Sequence, residues 1–202
     1  DAATTVGDGT AEDTKIVFDG NAQDYYIGLD DTDDDFKIGL GSTVGTTSHM
    51  VFDEAGAVTK PLQPAVFVTL ASAVTNFTTG TQHNFLWGTE VYDVNGDMSA
   101  ATFTAPVTGK YLINYQIRFV NIDNAATFYY INLVASNRSY NNIWSGAAYA
   151  ADIPYFVKTG SEVVDMDASD TFYMAYYQSG GTAQTDITNN AEEQFMTITL
   201  IC

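Results

Sequence analysis

The sequence predicts an all-β protein made of antiparallel strands. Short runs rich in Val, Ile, Tyr and Phe are separated by Gly, Asn and Asp, with little of the periodicity of an amphipathic helix. After Lys110 the apolar residues take every second position, which is the period of a strand with one buried face. They are Tyr111, Ile113, Tyr115, Ile117 and Phe119. Because strands do not alternate with helices, we expect an antiparallel sandwich or jelly roll.

The first elements are four short and similar runs. Each has about four to six strand-like residues followed by Asp, Gly or Asn. They lie at residues 15–20, 25–30, 36–41 and 49–56. Units of this size cannot bury their own faces, so they need stacking or a partner chain, as in a three-chain fibre shaft. The alternative is a plain β-meander docked on the rest of the chain.

Composition changes near Lys60-Pro61. Residues 1–60 hold eight of the 16 glycines, 13 acidic and three basic residues, and five aromatic residues against 22 in the remainder. We therefore predict a β-rich repeat or shaft segment at 1–60 and a head domain at 61–202.

The later elements are longer and more aromatic. Pro106 has no N–H to donate, so it precedes the 110–119 strand or lies at an edge, and Gly109 supplies the turn. Other strands are expected at 64–70, 84–87, 128–134, 171–177 and 194–201. Several, such as 66–70, carry apolar residues on both faces, which indicates a subunit interface because the outer faces of a sandwich are normally wet.

Charge limits the partners. The 202 residues carry 25 acidic and seven basic side chains, a net charge of −18, which disfavours nucleic acid and anionic membranes. No apolar run approaches the roughly 18 residues of a membrane span. The start at Asp1, with neither an initiator Met nor a signal peptide, led us to expect a trimmed piece of a longer chain. We expect the single cysteine, Cys202, to be a small buried residue closing the last strand, the alternatives being an interchain bridge or a reactive thiol.

Residues 61–202 resemble the C1q-like domain of the C1q and tumour necrosis factor superfamily. The match lies in Tyr92–Asp97, followed by Phe103-Thr-Ala-Pro-Val-Thr-Gly-Lys-Tyr111, in Met166–Phe172, and in the closing strand Phe195–Leu200. The sequence departs from the family pattern where glycines become Ser169 and Thr197. The resemblance implies a ten-stranded jelly roll that assembles as a homotrimer and presents loops to a ligand.

The first part resembles repeats of tail-fibre and other structural proteins of marine phages. The resemblance lies in residues 16–24 and 30–41, which are short and rich in Gly and Asp. It implies a component of a virion that contacts other virion proteins.

The sequence lacks the standard signatures of an enzyme. It has no Gly-x-Ser-x-Gly elbow, phosphate-binding loop, His-Glu-x-x-His or Cys-x-x-Cys. Of the two histidines, His49 starts a shaft-like run and His83 lies in a turn, so neither is expected to be a catalytic base. A pair of carboxylates for glycoside hydrolysis stays open, because acidic residues are abundant.

An acidic turn at residues 30–35 raises a calcium hypothesis. Asp31, Asp33 and Asp35 fit the first ligand positions of an EF-hand, but Phe36 replaces the required glycine and Ser42 the terminal glutamate. A solvated turn is the simpler alternative, while three copies in a trimer could hold Ca²⁺ by another geometry. Charge repulsion in this turn also predicts that Asp33→Asn with Asp35→Asn raises stability at low salt.

These observations predict a non-enzymatic trimeric virion fibre or fibre tip that attaches to a host surface glycan or protein. Candidate contact residues are aromatic and amide side chains expected in loops, which suit sugars, although packing at a trimer interface is the alternative. They are Tyr140, Asn141, Asn142, Trp144 and Tyr149. The alternative functions are a purely structural virion component, a secreted C1q-like binding protein and an envelope-degrading hydrolase.

Overall fold

The computed structural model describes residues 3–202 and separates into two compact units. The first unit ends at Gln63, and the second spans Pro64–Cys202. Within the described residues there are seventeen strands and one 3-10 turn, Gly146–Ala148, which confirms the all-β prediction. In this part of the chain no helix is long and apolar enough to cross a membrane.

The first unit is a single antiparallel sheet in which each strand pairs with the next along the chain. Glycine, serine and aspartate are frequent in the connections between its strands. The strands are β1 (Thr14–Phe18), β2 (Tyr25–Asp30), β3 (Asp35–Leu40), β4 (Ser48–Phe52) and β5 (Val58–Thr59). This arrangement is a meander.

The connection between β3 and β4 closes one face of this meander. Tyr26 is fully buried there, and the backbone N–H of Gly45 donates a hydrogen bond to its hydroxyl at 3.1 Å. The same hydroxyl lies 3.1 Å from Ser48 Oγ, and Val44 is buried in the connection itself. Gly39 lies so close to the Tyr26 phenol that a Cβ would overlap it. A small core therefore forms on this side of the sheet.

The opposite side of the meander, here called the open face, is apolar and exposed. Phe18 keeps 61% of its surface accessible and Ile16 keeps 49%. Its exposed members, taken from all five strands, are Ile16, Phe18, Tyr25, Leu29, Phe36, Phe52 and Val58.

The second unit is a sandwich of two antiparallel sheets. One has the order β13-β12-β15-β10-β9 with β7 beside β15, and the other has the order β14-β11-β17-β6-β8 with β16 beside β11. The chain passes repeatedly between the sheets, so the architecture is a jelly roll, as predicted. Its strands are β6 (Ala65–Leu70), β7 (His83–Asn84), β8 (Trp87–Asp93), β9 (Met98–Ser99), β10 (Thr102–Thr104), β11 (Gly109–Ile122), β12 (Phe128–Ala135), β13 (Ser139–Trp144), β14 (Ile153–Met166), β15 (Thr171–Ser179), β16 (Asp186–Ile187) and β17 (Phe195–Leu200).

The core of the second unit lies between the two sheets. All five alternating residues of β11, from Tyr111 to Phe119, are at most 4% exposed, which confirms the predicted face. Phe103 packs edge-on against Tyr111 with ring centroids 5.4 Å apart. Pro106 lies in the turn before β11, where its missing N–H costs no ladder bond.

Two expectations need correction. The strand predicted at 84–87 is interrupted, since β7 ends at Asn84 and β8 begins at Trp87. The prediction for Cys202 is wrong, because this residue follows the end of β17 and is exposed.

Candidate functional site

A pocket of about 470 Å³ opens at one edge of the second unit. It lies where β13, the last strand of one sheet, faces β14, the last strand of the other. The jelly roll leaves this edge uncovered, so side chains from both layers meet there at the surface. The residues used below are Tyr115, Tyr140, Asn141, Asn142, Ser161 and Glu162.

Tyr115 forms the floor of the pocket. Its ring points into the sandwich from β11, and its hydroxyl accepts a hydrogen bond from Asn142 Nδ2 at 2.9 Å. Gly160 lies directly opposite on β14, and any Cβ there would overlap the ring. A glycine is therefore needed at position 160 for the tyrosine to reach the edge.

Burial keeps the Tyr115 hydroxyl protonated. Removal from water raises the pKa of this phenol, the hydrogen bond from Asn142 acts in the opposite direction, and the nearby Glu162 carboxylate raises it further. The group is thus a neutral hydroxyl over the physiological pH range.

The rest of the lining is uncharged except for Glu162. Asn142 and Tyr140 offer an amide and a hydroxyl group on the pocket side, whereas Asn141 and Ser161, in register with Asn132 and Asn114, lie on the outer sides of their sheets. No Lys, Arg or His is among the lining residues. Such a set can exchange hydrogen bonds with hydroxyl or amine groups of a ligand and would repel an anion.

Three of the five predicted ligand residues line this pocket. Tyr140, Asn141 and Asn142 do so, but they belong to β13 and not to the expected loop. The run is rich in asparagine, which favours turns, and its pairing with β12 nevertheless makes it a strand.

Trp144 and Tyr149 lie outside the pocket. The indole of Trp144 stacks on Tyr129 and on Phe156 with centroid distances of 5.5 Å in both cases. Lys158 covers the same indole at 5.2 Å. Tyr149 meets Phe156 edge-on at 6.1 Å. Trp144 is thus held within an aromatic cluster at the edge of the core.

Sequence reasoning missed Tyr115, Gly160 and Glu162 as parts of the site. Tyr115 belongs to the core pattern of β11, and the other two occur on a strand far along the chain. The register of β14 on β11 places Gly160 and Glu162 beside Tyr115, and the facing sheet brings Asn142 to the same point.

The acidic turn of the first unit surrounds a lysine. Lys37 is 5% exposed, and its Nζ lies 2.7 Å from Asp30 Oδ2 and 2.6 Å from Asp33 Oδ2. Burial by itself lowers the pKa of Lys37, but the hydrogen bonds to both aspartates outweigh it and raise that pKa above its usual value. The hydrogen bond from Lys37 also holds the pKa of Asp30 below its usual value. The ammonium group is the cation that this turn binds.

The three predicted calcium ligands are not gathered around a common point. Asp33 pairs with Lys37, while the backbone N–H of Asp31 donates to Asp13 Oδ1 at 3.1 Å. Asp35 begins β3 opposite Asp30. Within residues 3–202 no group of three His, Cys, Asp or Glu side chains is placed to hold a metal ion. Convergence of three copies on Ca²⁺ stays a prediction.

The second unit also has an exposed apolar surface, here called the outer sheet face. It is the side of the β14-β11-β17-β6-β8 sheet that points away from the core. Phe67 contacts Tyr92 and Phe195, with both centroid distances at 5.8 Å. Tyr155 and Val157, which are 67% and 51% exposed, extend the surface along β14.

The charge on this face is neutralised within the chain. Arg118 Nη1 lies 2.6 Å from Glu193 Oε1, and the guanidinium covers the Tyr155 ring at 5.1 Å. The face is mixed, because Asn114, Gln116 and Thr197 lie among these apolar side chains. A mixed face with aromatic groups, on a chain of net charge −18, is typical of a protein interface.

Comparison with known proteins gave no matching family profile and no matching curated protein. Over 69% of its length the chain is similar in fold to solved structures of C1q and tumour necrosis factor type. The structure of murine APRIL at pH 8.5 is 11% identical, with a TM-score of 0.49 over 69% of this chain and 99% of that chain. The globular domain of zebrafish complement 1qA is 14% identical, with a TM-score of 0.48 over 69% and 98%.

A third structure, Eiger TNF from S. frugiperda, is 12% identical, with a TM-score of 0.49 over 69% of this chain and 93% of that chain. These identities and TM-scores are too low to carry an inference about ligand or partner. The resemblance of the first unit to phage repeats stays a prediction.

Proposed function

We propose that the chain is a non-enzymatic, homotrimeric attachment protein whose second unit binds a neutral glycan on a host surface. The observation that carries the proposal is the edge pocket, where Tyr115, Tyr140 and Asn142 converge beside Glu162. Aromatic rings stack on the apolar faces of sugars, and amides hydrogen-bond to their hydroxyls. The absence of basic residues from the lining favours a neutral ligand over an acidic one.

Trimerisation would occur through the outer sheet face. Three identical pockets on one particle would gain avidity, so weak single contacts could still give firm attachment. Together with the phage-like repeats of the first part, this favours a fibre tip on the surface of a virion, where the first unit would adjoin other virion proteins. The presence of the chain in purified particles, measured by mass spectrometry, tests this location.

The ligand is tested with a glycan array and with whole host cells. We expect the wild-type chain to bind a neutral glycan, and Asn142→Ala and Glu162→Gln to lower the apparent affinity at least tenfold, since both side chains lie on the pocket side of their strands. Asn189→Ala, which removes an exposed amide outside the pocket, is the matched control. Equal binding by the pocket variants and the wild type would exclude this pocket as the site.

The alternative is a purely structural virion component. It is favoured if light scattering shows a trimer while no glycan or cell binds. A monodisperse monomer at micromolar concentration would contradict both functions.

A further inference from the structure

The structure points to a second self-association surface, the open face of the first unit, which binds another copy of this chain. This inference uses neither the edge pocket nor the outer sheet face. It therefore can be tested separately from the proposed function.

The open face is continuous across the meander because the registers of neighbouring strands align its apolar residues. One row runs through Ile16, Ile27, Ile38 and Met50. A second row runs through Leu29, Phe36, Phe52 and Val58. Residues in register point to the same side of a sheet, so these rows form one surface.

The face is too large to be an incidental patch. Its seven exposed members keep between 36% and 61% of their surface accessible. With about 150–250 Å² for each large side chain, they expose roughly 500–800 Å². A standard interface buries about 800 Å² on each partner, and monomers seldom expose contiguous apolar patches of more than a few hundred Å².

The absence of charged side chains from the open face indicates that the surface that binds it is also uncharged. Residues 1–60 contain 13 acidic side chains, yet no Asp, Glu, Lys or Arg of β1 to β5 lies on the open face. Lys15, Asp30 and Lys37 all lie on the other side of the sheet. Two copies of this strongly acidic chain can therefore meet here without bringing formal charges into contact. Another copy presents a surface of the same size, polarity and lack of charge.

The open face has both a hollow and a projecting side chain. A hollow of about 260 Å³, with almost purely apolar walls, lies between Val6, Ile16, Leu29 and Phe36. Phe18, the most exposed aromatic side chain of the face, stands at the other end of β1. Because the projection and the hollow belong to the same face, two copies can meet face to face with Phe18 of each copy in the hollow of the other.

The test uses the full chain and measures its mass by sedimentation and light scattering over a range of concentrations. We expect Phe18→Ser with Leu29→Ser to weaken self-association at least tenfold, because both side chains are exposed apolar parts of the face. Val17→Ser, on the opposite side of the same strand, is the matched control and should leave the mass unchanged. Phe18→Asp is a second variant at an exposed position, and hydrogen exchange in β2 and β3 checks that the meander remains folded.

A parallel variant, Tyr155→Ser with Val157→Ser, reports the outer sheet face alone. The inference holds if the open-face variants weaken association while the meander stays folded, even if the outer-face variant has no effect. It is overturned if the open-face variants associate like the wild type. It is also overturned if the wild-type chain is monomeric, which would mean that a different protein or another segment of this chain covers the face.

Discussion

The two units use the same kind of strand and build different interiors. In the second unit two sheets enclose aromatic and aliphatic side chains from Val66 to Ile198. The first unit has one sheet, and the short connection between β3 and β4 covers one side of it. Its enclosed side chains include the ion pair of Lys37 and Asp30 beside Tyr26.

The difference shows that the number of layers decides how a sheet is stabilised. A two-layer sandwich buries both inner faces against each other, so apolar packing dominates. A single sheet of about sixty residues buries less of its surface. The first unit therefore encloses an ion pair whose partners must stay together, and its other side, as we infer, is covered by another copy of the chain.

The largest expected effect lies in the core of the second unit. Tyr115→Ala should lower the free energy of unfolding by about 3–5 kcal/mol, because it removes a buried aromatic ring and the floor of the pocket. Trp87 and Trp144, the two tryptophans of the sequence, both belong to the second unit, so tryptophan fluorescence follows the unfolding of that unit. Tyr115→Phe, which removes only the hydroxyl and its bond to Asn142, should cost about 1 kcal/mol. A loss below about 1 kcal/mol for Tyr115→Ala would show that the ring is not packed as described.

The next effect belongs to the first unit. Lys37→Met should destabilise the meander by about 2–3 kcal/mol, since it leaves the buried carboxylate of Asp30 without a cation. Hydrogen exchange in β2 and β3 measures the loss, while tryptophan fluorescence should stay unchanged. Lys15→Met, at an exposed lysine on the same side of the sheet, is the control. Equal stability of the two variants would contradict the role of the ion pair.

This geometry also changes the expectation for the acidic turn. Asp33 pairs with Lys37, so Asp33→Asn should lower stability and not raise it by relieving repulsion. The Asp33 side chain is 55% exposed, and the loss should therefore be below about 1 kcal/mol. A gain in stability at low salt would instead favour the charge repulsion expected from the sequence.

The stability of the second unit should fall at alkaline pH because of a buried tyrosine. Burial raises the pKa of Tyr176 from 10.0 to about 12. Between these values the unfolded chain releases this proton while the folded chain keeps it, so the second unit loses stability as pH rises from 10 to 12. Tyr176→Phe should reduce this loss of stability between pH 10 and 12 when unfolding is followed by tryptophan fluorescence. An unchanged loss of stability in this variant would mean that other groups cause the decrease at alkaline pH.

The smallest effect concerns a turn of the second unit. Ser169 has φ of 75°, in the left-handed region that favours glycine. Ser169→Gly should raise the free energy of unfolding by about 0.5–1 kcal/mol, because the strain at this residue is relieved. Ala168→Gly, at a neighbour outside that region, is the control and should lower stability. A loss of stability in Ser169→Gly would show that the serine side chain contributes more than the strain costs.

Part of this architecture could be predicted from the sequence because strand alternation is local. The buried face of β11 follows from its period of two, and the turn before it follows from Pro106 and Gly109. The departure from the family glycine at Ser169 left the local turn geometry open, and the structure places this residue at a positive φ. Each of these conclusions rests on neighbouring residues.

The pocket could be predicted only in part. Tyr140, Asn141 and Asn142 were chosen by their chemistry, which is visible in the sequence, while their strand conformation was not. Tyr115 reaches them because β11 and β13 belong to facing sheets, which no local pattern specifies.

The sequence by itself determined that the chain forms antiparallel strands and which residues share a face, because side chains alternate along every strand. The tertiary structure decided which faces are covered. Tyr26 is buried and Phe18 is exposed, although both are aromatic strand residues, because the connection after β3 folds over only one side of the sheet. The burial of Lys37 likewise depends on tertiary structure, because the pairing of β2 with β3 brings Asp30 beside it. Burial depends on contacts between distant segments, and a period of two carries no information about which segment will lie above a given face.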